Sequence, residues 1–455
     1  MIFQRTIVLL LLALTINIRA EETPVTNQPK TLNSEYEGQF NDGKAKAKGS
    51  EWVQSIRVID PAYRSSINGT TRITFVAPGM DQIEARCWHQ PDDKHPSEWG
   101  YDAVVLERRD TFPGVMSFDF PADNFPNGPI TVRINAYHKN GTKDRCELQL
   151  FNEGGIKWGQ GVADAPPAAE GMRLVFEDDF DTMPAISRRG DEATYAAHKP
   201  RFGDFSGWRF SHVDDFPGAH DPFEQKGTWL RIKARKWGKG KGENGSGIIS
   251  SARHDGSGIW AKAPCYFECR FIAQSAPGTW PAFWTLTAMD RGISGDELDI
   301  IEGYGGQGVG HPNAVDYHIV SHFWRQTDEN GNRRKGVTTT VPMLETGGGS
   351  FWSTTPHTYA VKIGKEETVY YFDNIEVLRH PCGPLSASEP AFFLVNYAIG
   401  GISGWPIDLE RYGNGTDMWI DYVRVYQGGD TDLSDYVLAP PTKKQAETPA
   451  PAETP

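Results

Sequence analysis

Three carboxylates stand inside an otherwise apolar run. Residues 295–306 read G-D-E-L-D-I-I-E-G-Y-G-G, with Glu297, Asp299 and Glu302 set among Leu298, Ile300 and Ile301. Burying an ionised carboxylate is unfavourable unless it is paired or used, so acids interleaved with core residues point to chemistry. Two such groups are the minimal equipment for cleaving an acetal. One attacks the anomeric carbon while the other protonates the leaving oxygen, with the carboxyls ~5–5.5 Å apart. Like charges this close cannot all ionise at neutral pH, so one acid stays protonated and can donate. The competing readings of a bare E-x-D-x-x-E are an acidic surface strand and a calcium site.

The spacing says what must position these acids. Along a strand side chains alternate faces, so Glu297 and Asp299 share one face while Leu298 and Ile300 point to the core. Glu302, an odd step from Asp299, needs one extra residue, a β-bulge, to return to their side.

The rest of the 455-residue chain predicts such strands. Residues 1–20 have a basic start at Arg5, an apolar run and a small residue at Ala20, a secretory signal too short for the ~20 residues of a spanning helix. Residues 21–50 are polar and read as a linker. From 51 to 153, some seven alternating runs punctuated by Asn68-Gly69, Pro78-Gly79 and Asn140-Gly141 predict a β-sandwich. Residues 154–170, glycine-rich with A-P-P-A, read as a second linker, and 429–455 as a disordered tail. Between them, residues 171–428 carry regularly spaced strands and no long amphipathic helix, predicting one large antiparallel domain.

A formal charge of -13 argues against nucleic-acid binding, and five cysteines are too few for a disulfide scaffold. Cys87 and Cys146 are the pair placed to bridge a sandwich. The soluble chain is expected to be secreted or periplasmic, monomeric, and free of nucleic-acid and membrane partners once the signal is removed.

Around the acids the sequence resembles glycoside hydrolase family 16, the laminarinase, lichenase, agarase and carrageenase group. The resemblance rests on residues 266–273 (Y-F-E-C-R-F-I-A) with 278–287 (G-T-W-P-A-F-W-T-L-T) ahead of the acidic strand. Behind it, 357–363 (H-T-Y-A-V-K-I), 368–377, 391–401 and 419–426 (W-I-D-Y-V-R-V-Y) follow the family's order, and 174–181 fits its first strand. The resemblance implies an all-β fold, a concanavalin A-like jelly-roll β-sandwich with an open concave face. It implies that Glu297 is the nucleophile, Glu302 the acid and then base, and Asp299 the residue that tunes the pair. More loosely, residues 125–142 resemble the closing hairpin of immunoglobulin-like modules of secreted enzymes, implying a smaller sandwich of that type. That module is expected to be a spacer, or else to bind sugar through Trp88, Trp99 or Tyr101.

Sugar-stacking platforms are expected from Trp280, Trp284 and Trp405, since pyranose faces bury well against indole. On the next strand His318, His322 and Trp324 share one face, which favours the cleft. The resemblance also implies a structural calcium held by the Asp421 carboxylate and the Gly227 carbonyl, with no cofactor for catalysis. The expected substrate is a β-linked polysaccharide cut internally, foremost a β-1,3-glucan. The basic run of residues 231–242, with Arg235, and a second at Arg333-Arg334-Lys335 favour an agar-type or sulfated algal galactan instead. Transglycosylation and non-catalytic β-glucan recognition are the other readings of this fold.

Overall fold

The computed structural model describes residues 30–31, 52–88, 102–161, 164–200, 204–215, 218–237, 244–287, 295–308, 314, 316–343 and 351–438. The expected signal segment, Trp99 and Tyr101 lie outside them. Among the described residues no helix is long and apolar enough to cross a membrane.

Strands dominate, as the alternation predicts, and they assemble into two large stacked sheets. One sheet runs Ile186–Ser187, Tyr195–Ala196, Ile248–Ser250, Phe392–Ile399, Thr279–Leu286, Gly295–Glu302, Tyr317–Trp324, Val337–Val341. The other is centred on Trp229–Lys236, Gly415–Gln427, Cys265–Ala273 and His357–Ile363. The all-β jelly-roll sandwich is therefore present. Phe392–Ile399 shows why its strands read as nearly continuous apolar runs. Phe393, Val395, Tyr397 and Ile399 enter the core between the sheets, whereas Phe392, Leu394 and Ala398 join Trp280, Trp284 and Trp405 on the outer face. Both faces are covered, so both sets of positions are apolar, each large side chain contributing ~1.5–3 kcal/mol.

A smaller sandwich precedes it. Ser66–Ile67, Lys143–Asn152, Gly128–Tyr137, Gln82–Trp88 and Asp102–Asp110 form a five-stranded sheet, and Arg57–Asp60, Thr70–Val76 and Met116–Pro121 a three-stranded one. It is packed directly onto the large one. Its core runs on into Trp229, Ile272 and Trp419, which stand on the outer face of the large second sheet. Phe151 packs on Trp419 with ring centroids 5.0 Å apart. Arg411 grips buried Asp144 with two bonds of 3.0 and 2.8 Å.

Three expectations need correction. The stretch 154–170 is no loose linker where it is described: Trp158 is wedged between Trp88 and Trp229 at 5.9 and 6.0 Å, and a Cβ on Gly155 would meet the Phe125 carbonyl at 2.3 Å. Trp88, buried in this contact, presents no face to sugar. Second, residues 429–438 are not a free tail. Leu433, Tyr436 and Leu438 pack on the outer aromatic cluster, Tyr436 edge-on to Trp260 at 5.0 Å. Third, Cys87 and Cys146 are both free. They lie in the same sheet with Gly128–Tyr137 between their strands, and two inter-strand steps of ~4.8 Å exceed what a disulfide can span.

Candidate active site

Gly295–Glu302 carries the expected bulge. Against Thr279–Leu286, Phe283 faces Ile301 and Trp284 faces Asp299, leaving Ile300 as the extra residue. The register on the other neighbour breaks between Asp299 and Glu302 as well. Consecutive Ile300 and Ile301 therefore both enter the core with Leu298, and Glu302 is turned to the outer face, where it meets Trp280. A fourth acid, Asp296, serves the fold. It is fully buried, accepts the Ser386 N–H at 2.7 Å, and excludes any side chain at Gly383, whose Cβ would lie 2.1 Å from its Oδ2.

The three outer-face acids are poised differently. Glu302 accepts the Tyr304 hydroxyl at 2.6 Å and the Trp280 indole N–H at 3.1 Å. Burial raises its carboxyl to about 7; the Glu297 charge adds to the rise, and the two hydrogen bonds hold it back. Asp299 is pushed well above the usual carboxylate range, by burial first and then by the Glu302 and Glu297 charges, with Lys199 opposing. Glu297 pairs in register with His322, and Glu297, Asp299 and His322 offer donor atoms all within 4.8 Å of one another. His322 Nε2 lies 3.6 Å from Asp299, and burial lowers its imidazole, favouring the neutral ring. The arrangement can hold one carboxyl protonated beside another at a partly open position, which is what general acid catalysis needs.

The expected binding residues divide. His322 and Trp324 stack at 4.8 Å and 22° and line a pocket of about 410 Å³ with Arg333, Arg334 and Lys335. His318 is buried, opposite Glu302 in register and 3.2 Å from Thr340 Oγ1. Trp280, Trp284 and Trp405 are 7, 5 and 4% exposed, so they form the floor and not open platforms. Their placement also has other uses, since the Trp284 N–H is bonded to Asn396 Oδ1 at 2.8 Å and Trp280 stacks on Tyr304 at 5.7 Å.

Arg235 belongs elsewhere. Its guanidinium binds buried Asp417 at 2.6 Å and the Thr416 carbonyl at 2.7 Å, on the second sheet, so it is not a cleft residue. Residues 238–243 of that basic run lie outside the described part. The calcium pair does not fit a cation either. Asp421 is fully buried, accepts the Gly161 N–H at 2.8 Å and is bound by the Arg270 guanidinium. A divalent ion there would face Arg270. The Gly227 carbonyl takes the Gln225 side-chain amide.

Sequence reading missed Tyr304, Lys199 and Asn396. Tyr304 had a signal, standing two residues beyond Glu302 in G-Y-G-G and hence on its face. Lys199 had none; it comes from a loop and lies over Phe205 and Trp284 at 4.8 and 5.5 Å.

No family model matches the chain. Among curated proteins, the endo-1,3-1,4-β-glycanase ExsH of Rhizobium meliloti (strain 1021) is 34% identical over 161 residues, covering 35% of this chain and 30% of its own length. A β-glucanase of Rhodothermus marinus is 29% identical over 178 residues, covering 35% of this chain and 56% of its own. The chain thus spans under a third of ExsH and somewhat over half of the β-glucanase. Among solved structures, the laminarinase catalytic domain of Thermotoga petrophila RKU-1 covers 57% of this chain and 99% of its own at 20% identity and a TM-score of 0.41. SCLam, a non-specific endo-β-1,3(4)-glucanase from family GH16, covers 58% and 94% at 23% identity and 0.42.

Proposed function

We propose that the chain is an exported retaining endo-hydrolase of β-linked polysaccharide, foremost of β-1,3-glucan. The observation that carries the chemistry is the bulge at Ile300, which sets Glu297, Asp299 and Glu302 on one face with Glu302 held protonated up to about pH 7. The glucan rests on the curated relatives, one named an endo-1,3-1,4-β-glycanase and another a β-glucanase. Export rests on the basic start and apolar run of residues 1–20.

The steps follow from the residues. The Glu297 carboxylate attacks the anomeric carbon as the glycosidic C–O bond breaks, and Glu302 gives its proton to the departing oxygen. Glu302, now a carboxylate, takes a proton from water as that water attacks the glycosyl ester and frees Glu297. Asp299, protonated between them, donates to a neighbouring carboxylate and spares Glu297 a second negative charge. Tyr304 and Trp280 fix the Glu302 rotamer and stabilise the charge it acquires. Neutral His322 lines the cleft beside Glu297 as a hydrogen-bonding group.

Product sizing on a panel of laminarin, lichenan, agar and carrageenan tests this reading. Short oligosaccharides from laminarin, with the first-formed anomer retained, are expected. Cleavage of galactans alone would refute the glucan assignment, and anomeric inversion would refute the covalent step.

A further inference from the structure

We infer that Glu297, Asp299 and His322 form a binding site for a divalent cation of the zinc class, and that the bound ion blocks the cleft reversibly. The binding stands on geometry; that it inhibits rests on reading Glu297 as the nucleophile of a glycan hydrolase.

The three side chains converge from two adjacent strands. Glu297 and Asp299 are two residues apart on Gly295–Glu302 and so share a face, and Glu297 stands opposite His322 on Tyr317–Trp324. Each offers one donor atom, and the three atoms lie within 4.8 Å of one another. His322 Nε2 is 3.6 Å from Asp299 Oδ2, against roughly 3.4 Å between neighbouring donors around a tetrahedral zinc. The set stops at three, because Glu302 is engaged by Tyr304 and Trp280.

A second observation points to a ligand. Asp299 is 6% exposed, yet among the described residues no N–H or O–H group bonds to its carboxyl, His322 at 3.6 Å being too far. Buried polar groups ordinarily find a donor, so this one is left for a partner from outside the chain. Glu297 and His322 are only partly buried, so an ion can enter from the cleft and draw both onto it. Trp324, stacked on the imidazole at 4.8 Å, steadies the ring.

The donor types choose the ion. One imidazole with two carboxylates suits zinc, copper or nickel. Calcium takes about six to eight oxygens and magnesium gives up its waters reluctantly, so three donors that include a nitrogen serve neither. The proton of Asp299 passes to solvent as the ion arrives. Buried Asp421 is the contrast, since the Arg270 guanidinium already occupies it. The cations acting here are Lys199 on Asp299 and Arg333 on His322. Their charge weakens the site, so the ion is an added ligand that substrate displaces and not a resident one.

Isothermal titration calorimetry of the full chain with Zn²⁺ tests the binding, and laminarin hydrolysis at fixed Zn²⁺ tests its consequence. One zinc per chain is expected, with Ca²⁺ and Mg²⁺ weaker by about tenfold or more. E297Q, D299N and H322A should each weaken zinc binding by ~10–100-fold or more. H220A, which removes an exposed histidine, should leave it unchanged. Zinc should raise the apparent KM for laminarin and leave kcat as it was, because ion and glycan compete for Glu297. Zinc affinity unmoved in the isosteric E297Q and D299N, with melting temperatures showing both folded, would overturn the inference. Calcium binding as tightly as zinc, or inhibition through kcat alone, would overturn it too. Zinc bound at these residues in a chain that cuts no glycan would leave the site standing and remove the hydrolase reading, so the two failures are told apart.

Discussion

Two sets of buried acids, one on each large sheet of the same sandwich, have opposite neighbours. On the second sheet, Asp421 faces Arg270, and Asp417 is held by Arg231 and Arg235, each at 2.6 Å. Burial pushes the Asp417 carboxyl up, but the charges of Arg235, Arg231 and Arg64 outweigh it and bring the group below its ordinary value. On the eight-stranded sheet, acid stands against acid. Asp299 and Glu302 are raised by burial and by like charge, with only Lys199 opposing at Asp299 and the Tyr304 and Trp280 hydrogen bonds opposing at Glu302. Paired acids hold the molecule together, whereas crowded acids store protonation that chemistry can use.

Glu302→Gln breaks the crowded side of this contrast with the largest effect. It is expected to lower kcat/KM on laminarin by ~10²–10⁴-fold. The fold should gain, and the sign follows from linkage. A carboxyl raised from 4.5 to about 7 by folding costs stability progressively as pH climbs through that window. The variant should therefore be more stable at pH 8 by about 1–3 kcal/mol in denaturant titration. A variant less stable than the parent at that pH would remove the contrast.

Asp421→Asn probes the paired side. Leaving Arg270 buried without its partner should cost ~3–5 kcal/mol in denaturant titration. Activity at temperatures where the variant stays folded should be kept. A large loss of kcat with little loss of stability would reverse the assignment of the two sheets.

Tyr304→Phe sharpens the comparison at one hydrogen bond. The hydroxyl favours the charged form of Glu302, so its removal should raise that group. The alkaline limb of the kcat/KM profile, where activity falls as pH rises through about 7, should then move up by about one pH unit. An unmoved limb would assign it to a group other than Glu302. The smallest effect is expected from chelation. With Arg270 on Asp421 in the place of a metal, EDTA should leave the melting temperature unchanged, and a clear fall would show that an ion binds there after all.

The contrast also explains what could be read from the sequence. The acidic strand was legible because local rules suffice: apolar residues at Leu298, Ile300 and Ile301 fix the core face, and the odd step to Glu302 demands the bulge. Arg235 was misread because its partner Asp417 is remote in the chain, and strand pairing alone brings Ala234 opposite Thr416 and Arg235 opposite Gly415. Nothing local separates a guanidinium that crosses to a buried acid from one left in solvent. Residues 429–438 were misread because their three anchoring side chains keep no period and are only partly buried. Trp280 and Trp284, expected as platforms, are covered because their exposure depends on Phe205 and Tyr304, which reach them from elsewhere in the chain.

Trp158 gives the molecule one further property. Because it locks the small sandwich onto Trp229, in a core that also takes in Trp419 and Ile272, the boundary suggested by strand patterning is not a place where the protein can be divided. Cut there, the large sandwich would present a tryptophan-lined wall to water. The piece that gene rearrangement could transplant intact therefore includes both sandwiches and the short bridge between them.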